Sequence, residues 1–157
     1  MEPLIKSLSL KKFRSIPYDQ INLNNPTFLV GRNGSGKSNL ADAFAFLAEA
    51  MTLPLQAVFD KRGGISSVRN RTSGKSHPPK LGIGIKFGKL NGKYESGHYA
   101  FEIRPLPNYG FEIVREQCHI YSNGKIDSWF ERKSDGFQSN VPGLVLSLEP
   151  SSLCLPL

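Results

Sequence analysis

The sequence has few of the residues that build disulfide frameworks or membrane spans. Two of its 157 residues are cysteines, Cys118 and Cys154, and their spacing fits neither a zinc site nor a disulfide scaffold. No run approaches the ~20 apolar residues of a membrane helix, and no apolar signal follows Met1. These absences argue against a secreted disulfide-rich domain and a helical membrane protein. We expect a cytoplasmic protein whose two cysteines are buried small residues.

Acidic residues are missing from the middle of the chain. The net charge is +7, and the stretch from Lys61 to Lys93 holds nine basic residues with no Asp or Glu. The rest of the chain holds 11 basic and 13 acidic residues. Such a stretch predicts contact with a polyanion such as DNA. The alternative is a solvated loop and hairpin, and the few aromatics of this segment leave both interpretations open.

A phosphate-binding loop is the strongest positive feature. Residues 31–38 read Gly-Arg-Asn-Gly-Ser-Gly-Lys-Ser, a full match to the pattern G-x-x-x-x-G-K-[ST]. The apolar residues 28–30 before the loop predict a buried strand. The residues after it predict a helix, because four apolar side chains recur at helical spacing: Leu40, Phe44, Leu47 and Met51. Strand, glycine-rich loop and helix form the context in which this motif binds phosphate.

The residue types of the loop match the chemistry of a triphosphate. Glycines 31, 34 and 36 allow successive backbone N–H groups to line a concave nest, and the following helix adds its unpaired N-terminal N–H groups. Lys37 is predicted to reach the β- and γ-phosphates, and the Ser38 hydroxyl is predicted to ligate Mg²⁺. The loop alone does not distinguish adenine from guanine.

The remaining patterns predict strands around one helix. We expect a first strand over residues 8–15 closed by Pro17, a second over 21–23 and a third over 27–30. The helix should run from about 36 to 52 and end before Pro54, with 55–59 as a broken extension. Residues 63–80 are polar and predict a loop.

Beyond this loop the hydrophobic period changes to two. Alternation over residues 81–132 predicts an antiparallel meander, with turn signals at Asn91-Gly92, at 108–110 and at Asn123-Gly124, the clearest hairpin. We therefore divide the chain into a P-loop core over 1–55, a basic loop over 56–80, an antiparallel β lobe over 81–132 and a return segment over 133–157.

Together these residues resemble a family. A strand ending in Lys12-Phe13-Arg14-Ser15, followed by Val-Gly-Arg-Asn-Gly-Ser-Gly-Lys-Ser-Asn over 30–39 and an Ala-rich helix, resembles the N-terminal half of RecF/SMC/RecN-like ATP-binding-cassette heads. The likeness is greatest to the RecF- and OLD-like AAA ATPases of prokaryotes. It is specific over residues 5–50 and looser over 60–121. It implies an α/β P-loop NTPase fold of the ABC-cassette type, in which strands and the loop helix precede an antiparallel β lobe.

The resemblance also implies a ligand and a set of site residues. It implies ATP rather than GTP, with Mg²⁺, and it places Arg14 near the phosphates or ribose. Arg32 and Asn33 could equally contact phosphate or shape the loop. The predicted ATP-binding set is Arg14, Gly31, Arg32, Asn33, Gly34, Ser35, Gly36, Lys37, Ser38 and Asn39, with Ser38 as metal ligand and no catalytic residue.

Parts of the family pattern are missing from this sequence. The heads hydrolyse ATP as dimers, using an apolar strand that ends in Asp-Glu, a Leu-Ser-Gly-Gly-like signature and a switch His. The nearest candidates each lack a part: residues 143–149, residues 57–60, Arg62-Gly63-Gly64, and Gln117 as the metal-coupling glutamine. We interpret 143–149 as a buried strand or helix start and Gln117 as an ordinary strand residue. We therefore expect an incomplete cassette, with exposed apolar surface that favours instability or dimerisation unless a partner covers it.

The leading hypothesis is ATP binding by the N-terminal half of a RecF/SMC-like ATPase. In the whole protein, head dimerisation and hydrolysis would act in DNA repair or maintenance or in antiphage defence, with DNA or a nuclease as partner. One alternative is a small P-loop GTPase or kinase, since Asp60–Gly63 fits D-x-x-G although no N-K-x-D motif follows. The other is a non-hydrolysing fragment that binds nucleotide or nucleic acid.

Overall fold

The computed structural model describes residues 4–69, 80–90, 94–108, 110–144 and 149–154. Its centre is a seven-stranded sheet with three helices. The strands are β1 (Ile5–Phe13), β2 (Ile16–Asn22), β3 (Leu81–Leu90), β4 (Tyr94–Pro105), β5 (Phe111–Ser122), β6 (Lys125–Lys133) and β7 (Gly136–Ser139). The helices are α1 (Lys37–Ala50), α2 (Leu55–Asp60) and α3 (Ile65–Val68). No helix among the described residues is long and apolar enough to cross a bilayer.

The sheet is antiparallel throughout, in the order β2-β1-β3-β4-β5-β6-β7. The meander predicted for residues 81–132 is confirmed as β3–β6 and continues into β7. Because β1 pairs with β3, the β1–β2 hairpin extends the same sheet. The expected α/β fold class is therefore confirmed, while the division into core, basic loop, lobe and return segment stays a prediction.

The hairpin predicted at Asn123-Gly124 is confirmed. These two residues join β5 to β6 and have φ values of 51° and 69°, the left-handed geometry that two-residue hairpin turns require. Of the other predicted turns, Asn91-Gly92 and Tyr109 lie outside the described residues. Asn108 is left-handed with φ 58°, and the amide of Leu106 donates to the Gly110 carbonyl at 2.8 Å.

The predicted helix after the loop is confirmed as α1. Its buried side chains are Leu40, Ala43, Phe46, Leu47 and Ala50. Of the four apolar residues predicted to face the core, Leu40 and Leu47 are buried, whereas Phe44 and Met51 are only partly buried. α1 ends at Ala50, two residues before the predicted end, and Pro54 is the N-cap of the separate helix formed by residues 55–60, which we predicted as a broken extension. A proline at this position favours the break because its ring cannot continue a helix and has no N–H to donate.

The strand predicted for residues 27–30 is wrong. These residues form no strand, and Phe28 and Val30 are 80% and 94% exposed. An apolar run is stable as a strand when neighbouring strands pair its backbone groups. The seven described strands pair with one another, and none of them pairs with residues 27–30. The apolar pattern therefore predicts burial, but no described strand or helix covers residues 27–30.

Two smaller expectations also change. Pro17 lies inside β2 rather than closing β1, and β2 starts at Ile16, five residues before the predicted start at 21. An edge strand tolerates proline because its outward N–H has no partner to lose. The predicted polar loop contains the short helix α3 at Ile65–Val68, and its residues 70–79 lie outside the described part.

The helices cover one face of the sheet. Leu8, Leu10, Ile83 and Phe101 from the strands join Phe46, Val58 and Phe59 from the helices in one apolar core. A chain of ring contacts links Phe13 to Phe46 at 5.8 Å, Phe46 to Phe59 at 5.3 Å and Phe59 to Phe111 at 4.9 Å. Each such pair adds roughly 0.5–1.5 kcal/mol beyond its buried area, so these rings fix the helices against the sheet.

A buried carboxylate holds residues 149–154 against the same face. Glu116 is 0% exposed and accepts hydrogen bonds from the Tyr99 hydroxyl at 2.8 Å and the Cys154 amide at 2.8 Å. Arg132 lies 3.9 Å from this carboxylate and donates to the carbonyls of Ser152 at 2.5 Å and Glu149 at 2.8 Å. Residues 149–154 are therefore anchored by hydrogen bonds as well as by the burial of Leu153 and Cys154.

The environment of the two cysteines predicts inert thiols. Both are buried, as expected from the sequence. Burial, reinforced by the charge of Glu116, raises the pKa of Cys118 to about 11 and that of Cys154 to about 12. A pKa two units above the usual value leaves roughly 100-fold less thiolate at pH 8. We expect both thiols of the folded chain to react with Ellman's reagent at least roughly 100-fold more slowly than in urea, with Cys154 the slower of the two.

The control is a Ser134→Cys variant, since Ser134 is exposed in the turn between β6 and β7. Its new thiol should react within the mixing time while the native pair stays slow. Two equivalents of fast-reacting thiol in the unaltered chain would contradict the buried placement.

Candidate functional site

The phosphate-loop residues form the turn that opens α1. Gly34 and Gly36 have φ values of 81° and 92°, a left-handed conformation that glycine adopts without strain. Gly36 is the N-cap of α1, no side chain caps the helix, and its first turn contains no acidic residue. The first amides of a helix have no partner within it. The start of α1 therefore offers donors and a positive dipole end to an anion.

Lys37 folds back into the curve of this loop. Its ammonium donates to the carbonyl oxygens of Gly31 at 2.5 Å and Arg32 at 2.8 Å and to the Ser35 hydroxyl at 3.3 Å. A Cβ on Gly31 would lie 2.8 Å from the Ser35 Oγ and 3.9 Å from the Lys37 Nζ. Glycine at position 31 thus lets the loop close around the ammonium group.

The other loop side chains face outward. Arg32, Asn33, Ser35 and Ser38 are exposed, so their polar groups are accessible to a ligand. Ser38 is the second residue of α1, which places its hydroxyl in the turn whose amides face the loop. The structure therefore brings the residues of the predicted set from 31 to 38 into one loop and helix start.

Asn39 has a partner outside the loop. Its side-chain amide donates to the Ser15 hydroxyl at 2.7 Å. Ser15 belongs to the turn between β1 and β2, so this bond ties the Lys12-Phe13-Arg14-Ser15 segment to the first turn of α1. The two parts of the sequence that carry the family resemblance are thus in direct contact.

Arg14 contacts both α1 and the segment after it. Its Nε donates to Asp42 Oδ2 at 2.8 Å, and its Nη1 donates to the Ser67 carbonyl at 3.3 Å. Its backbone amide donates to the Val68 carbonyl at 2.6 Å, and its φ is 50°. The guanidinium lies beside α1, about one turn beyond Asn39. A contact between Arg14 and nucleotide stays a prediction.

Sequence reasoning missed the acidic partners of these arginines. The Arg62 side chain is 8% exposed; it donates to Asp42 Oδ1 at 3.0 Å, to Glu49 Oε2 at 2.5 Å and to the Val58 carbonyl. It also lies 5.3 Å from the centre of the Phe46 ring. Asp42 and Glu49 are seven residues apart on α1 and so share one helix face. That spacing was the available signal.

The pKa values of this cluster reflect the ion pairs. Burial alone would lower the pKa of Arg62, but its hydrogen bonds to Glu49 and Asp42 outweigh that effect and raise it. The hydrogen bond from Arg62 is the main reason why the pKa of Glu49 lies below its usual value. Arg62 and Glu49 therefore stay charged at neutral pH, and the cluster joins α1 to the residues after α2.

A shallow groove of about 430 Å³ lies beside the first turn of α1. Its lining residues are Arg14, Ser15, Asn39, Ser66, Ser67 and Arg69. The Arg69 Nε is buried and has no hydrogen-bond partner among the described residues. With two guanidinium groups and four polar side chains, the groove suits an anionic or hydroxyl-rich group.

The remaining sequence candidates are not assembled around this loop. Residues 57–60 lie in α2, so they are not an apolar strand ending in an acid. Gln117 lies on β5, with its Nε2 3.4 Å from His98 Nε2, on the face opposite the helices. Residues 145–148 of the candidate 143–149 lie outside the described part. Among the described residues, no group of three or more His, Cys, Asp or Glu could hold a metal ion.

Comparisons with known proteins agree with this geometry. Residues 27–101 match the family model described as "AAA domain, putative AbiEii toxin, Type IV TA system". A solved structure described as "Structural biochemistry of ATP-driven dimerization and DNA stimulated activation of SMC ATPases" is 24% identical, with a TM-score of 0.51. The match covers 79% of this chain and 72% of that chain. A comparison with curated protein sequences finds no match.

These findings confirm the resemblance predicted from the sequence. Residues 27–101 therefore resemble an AAA domain, and the chain has a P-loop NTPase-like fold similar to that of an SMC ATPase head. The family match begins at Thr27 and so includes the phosphate loop and α1.

The ion cluster predicts that Asp42 supports the fold. Asp42→Asn removes one of two carboxylates that neutralise the buried Arg62, and we expect it to lower the free energy of unfolding by about 1–3 kcal/mol. The measurement is the urea midpoint followed by circular dichroism. The control Asp60→Asn removes an exposed carboxylate that accepts a hydrogen bond from Gln56, and it should change stability by less than about 0.5 kcal/mol. Equal midpoints for both variants would contradict this role of Asp42.

Proposed function

We propose that this chain binds ATP with Mg²⁺ through residues 31–38, as the nucleotide-binding part of a RecF/SMC-like ATPase. The observation that carries the proposal is the position of the Lys37 ammonium. It is held by the carbonyls of Gly31 and Arg32 inside the curve of a glycine-rich loop that opens α1. Anions bind where a helix start and a cation converge, and the family match includes this segment.

The donor set fits a triphosphate and a magnesium ion. ATP carries about four negative charges, and the loop amides, the first turn of α1 and Lys37 supply donors without a carboxylate in that turn. Mg²⁺ usually takes one or two protein oxygens and completes its shell with phosphate and water, so the exposed Ser38 hydroxyl is a sufficient protein ligand. When bound, the ion neutralises charge on the phosphate oxygens.

The groove beside α1 supports a place for the rest of the nucleotide. Asn39 and Ser15 lie at its edge and connect it to the first turn of α1. We propose that Arg14 and Arg69 face the ribose or the α-phosphate there, because the buried Arg69 Nε has no partner. Arg14 would retain its bond to Asp42, which orients its guanidinium group.

Hydrolysis requires groups that the described residues do not bring to the loop. Asp42 is engaged by Arg14 and Arg62, and no described strand ends in an acidic pair beside α1. We propose that the water-activating acid comes from a further part of a complete head, and that two heads close on ATP. The description of the similar SMC ATPase structure names ATP-driven dimerization, and this supports the proposal that two heads close on ATP. We also propose that the complete protein acts in the cytoplasm, in DNA repair or antiphage defence, with DNA or a nuclease as its partner.

An uncovered apolar surface supports this view of a larger head. Phe28, Leu29 and Val30 are exposed, and an apolar groove of about 470 Å³ runs beside them. Its lining residues are Leu4, Ile5, Leu23, Asn24, Asn25, Thr27, Leu29, Leu40 and Phe44. We propose that a strand of the remaining head pairs with residues 27–30, which restores the strand that the sequence pattern indicates.

Nucleotide binding is tested by removing the central cation. Lys37→Ala should weaken ATP–Mg²⁺ binding by at least roughly 100-fold, because an ammonium makes charge-assisted bonds that no neighbour replaces. Isothermal titration calorimetry on the full chain measures the affinity. Ser38→Ala should remove the dependence on Mg²⁺ while leaving metal-free binding nearly unchanged.

The control is Lys125→Ala, an exposed lysine next to the Asn123-Gly124 turn. It keeps the net charge equal to that of the Lys37 variant and should bind ATP normally. Equal affinity in the Lys37 and Lys125 variants would refute the loop assignment. Equal competition by GTP would overturn the choice of ATP and favour the GTPase alternative.

Exposure of residues 28–30 predicts self-association. Phe28→Ser combined with Val30→Ser should raise the monomer fraction at high protein concentration, because exposed contiguous apolar patches drive association. Light scattering coupled to size exclusion measures it. Leu106→Ser, at another exposed apolar position, is the control and should have little effect. A fully monomeric native chain would contradict the prediction.

A further inference from the structure

The face of the sheet opposite the helices carries a row of rings. Lys86 of β3 pairs with His98 of β4, His98 with His119 of β5, and His119 with Trp129 of β6. These four residues therefore lie side by side across four adjacent strands, which we call the open-face row. The alternation of side chains puts them opposite the buried Tyr99, Cys118 and Phe130, and so away from the helices.

The rings of the row are in contact. The centres of His98 and His119 are 4.5 Å apart, and those of His119 and Trp129 are 6.2 Å apart. Tyr121, two residues along β5, adds a fourth ring 6.1 Å from His98. All four rings are partly exposed and Lys86 is exposed. The row is thus a continuous π surface on the sheet with a cation at one end.

The positions beside the open-face row carry either small or basic side chains. Gly84 and Ala100 lie beside the row and leave a shallow floor. Among the described residues of this face, basic side chains outnumber acidic ones. The basic ones are Lys6, Lys11, Lys86, Arg104, Arg115 and Lys133, and the acidic ones are Glu102, Glu112 and Glu131. Each carboxylate is paired with a basic neighbour, and Lys86 forms no ion pair with a described residue. The surplus charge therefore suits an anionic partner.

A purely structural role explains the row less well. Cross-strand pairs do stabilise sheets, but an imidazole at position 98 is a poor choice for that role, because protonation of His98 beside Lys86 would be unfavourable. Burial, followed by the nearby His119 and Lys86, lowers the pKa of His98. His98 is therefore neutral at pH 7 and contributes an uncharged ring. Aliphatic residues would stabilise the sheet without this constraint.

We propose that the open-face row binds single-stranded nucleic acid, with bases stacked on Trp129, His119 and Tyr121 and the backbone phosphates held by Lys86. Base stacking on aromatic side chains with a basic groove is the general mode of sequence-tolerant single-strand binding. Lys86 belongs to the basic stretch 61–93. Because this stretch contains few aromatic residues, its sequence alone did not decide between a nucleic-acid contact and a solvated hairpin. The fold supplies the missing rings from β4, β5 and β6. This inference does not rest on nucleotide binding at the loop.

Trp129 is the one tryptophan of the chain, so its fluorescence reports on the site directly. The probe is a fluorescein-labelled oligothymidylate of about 20 nucleotides, longer than the roughly 4–16 nucleotides that a single OB-fold covers. We expect the unlabelled oligomer to quench Trp129 and the labelled one to gain anisotropy over the same concentration range. Trp129→Ala should weaken binding on the order of 10-fold, because it removes the ring on which one base stacks.

Three comparisons make the test decisive. Phe28→Ala removes an exposed ring outside the sheet and should not change binding, whereas Trp129→Phe should retain most of it. Lys86→Ala should reduce the dependence of log affinity on log salt by about 0.7, the value for one phosphate of a single strand. A duplex of the same length should bind more weakly, because its bases are already stacked. Unchanged affinity of the Trp129→Ala variant, absence of quenching, or equal binding of the duplex would overturn the proposal.

Discussion

Asp42 accepts hydrogen bonds from Arg14 and Arg62 on its two oxygens, and the arrangement of the site depends on this pairing. Arg14 comes from the turn after β1, and Arg62 follows α2. Both guanidinium groups therefore converge on one carboxylate of α1. A buried arginine is costly unless its charge is neutralised, and Asp42 together with Glu49 provides that neutralisation. Because Arg14 also binds the carbonyl of Ser67, the same carboxylate fixes the walls of the groove beside the first turn of α1.

A second constraint is that the described helices cover one face of a seven-stranded sheet. The apolar core and the loop helix occupy that face, and the other face is polar with a row of rings. Antiparallel sheets commonly have one buried and one solvated face. What is unusual is that the solvated face also places aromatic and imidazole groups in register, among its charged and small side chains. The strand register that packs Tyr99 and Phe101 inward also places His98 and Ala100 outward.

Features encoded locally could be predicted from the sequence, and features that depend on distant pairing could not. The phosphate loop, α1 and the Asn123-Gly124 hairpin each follow from a few adjacent residues, and all three are present. Residues 27–30 needed a neighbouring strand, which the described residues do not supply. The contact of Asp42 with Arg62 joins residues 20 positions apart, and the row from Lys86 to Trp129 depends on the register of four strands. The seven-residue spacing of Asp42 and Glu49 marks a shared helix face but does not identify Arg62 as its partner, and the row leaves no periodic signal in the sequence.

The two proposed ligands would bind on opposite faces of the sheet, so they cannot compete for the same residues. Any effect of nucleic acid on nucleotide affinity would have to pass through the sheet, and linkage requires that the effect be reciprocal. β1 is the shortest connection: it pairs with β3, which carries Lys86, and it ends at the turn that contains Arg14 and Ser15. A shift of β1 against β3 would move Arg14 relative to Asp42 and Asn39. The rigidity of that register therefore determines whether the faces act independently.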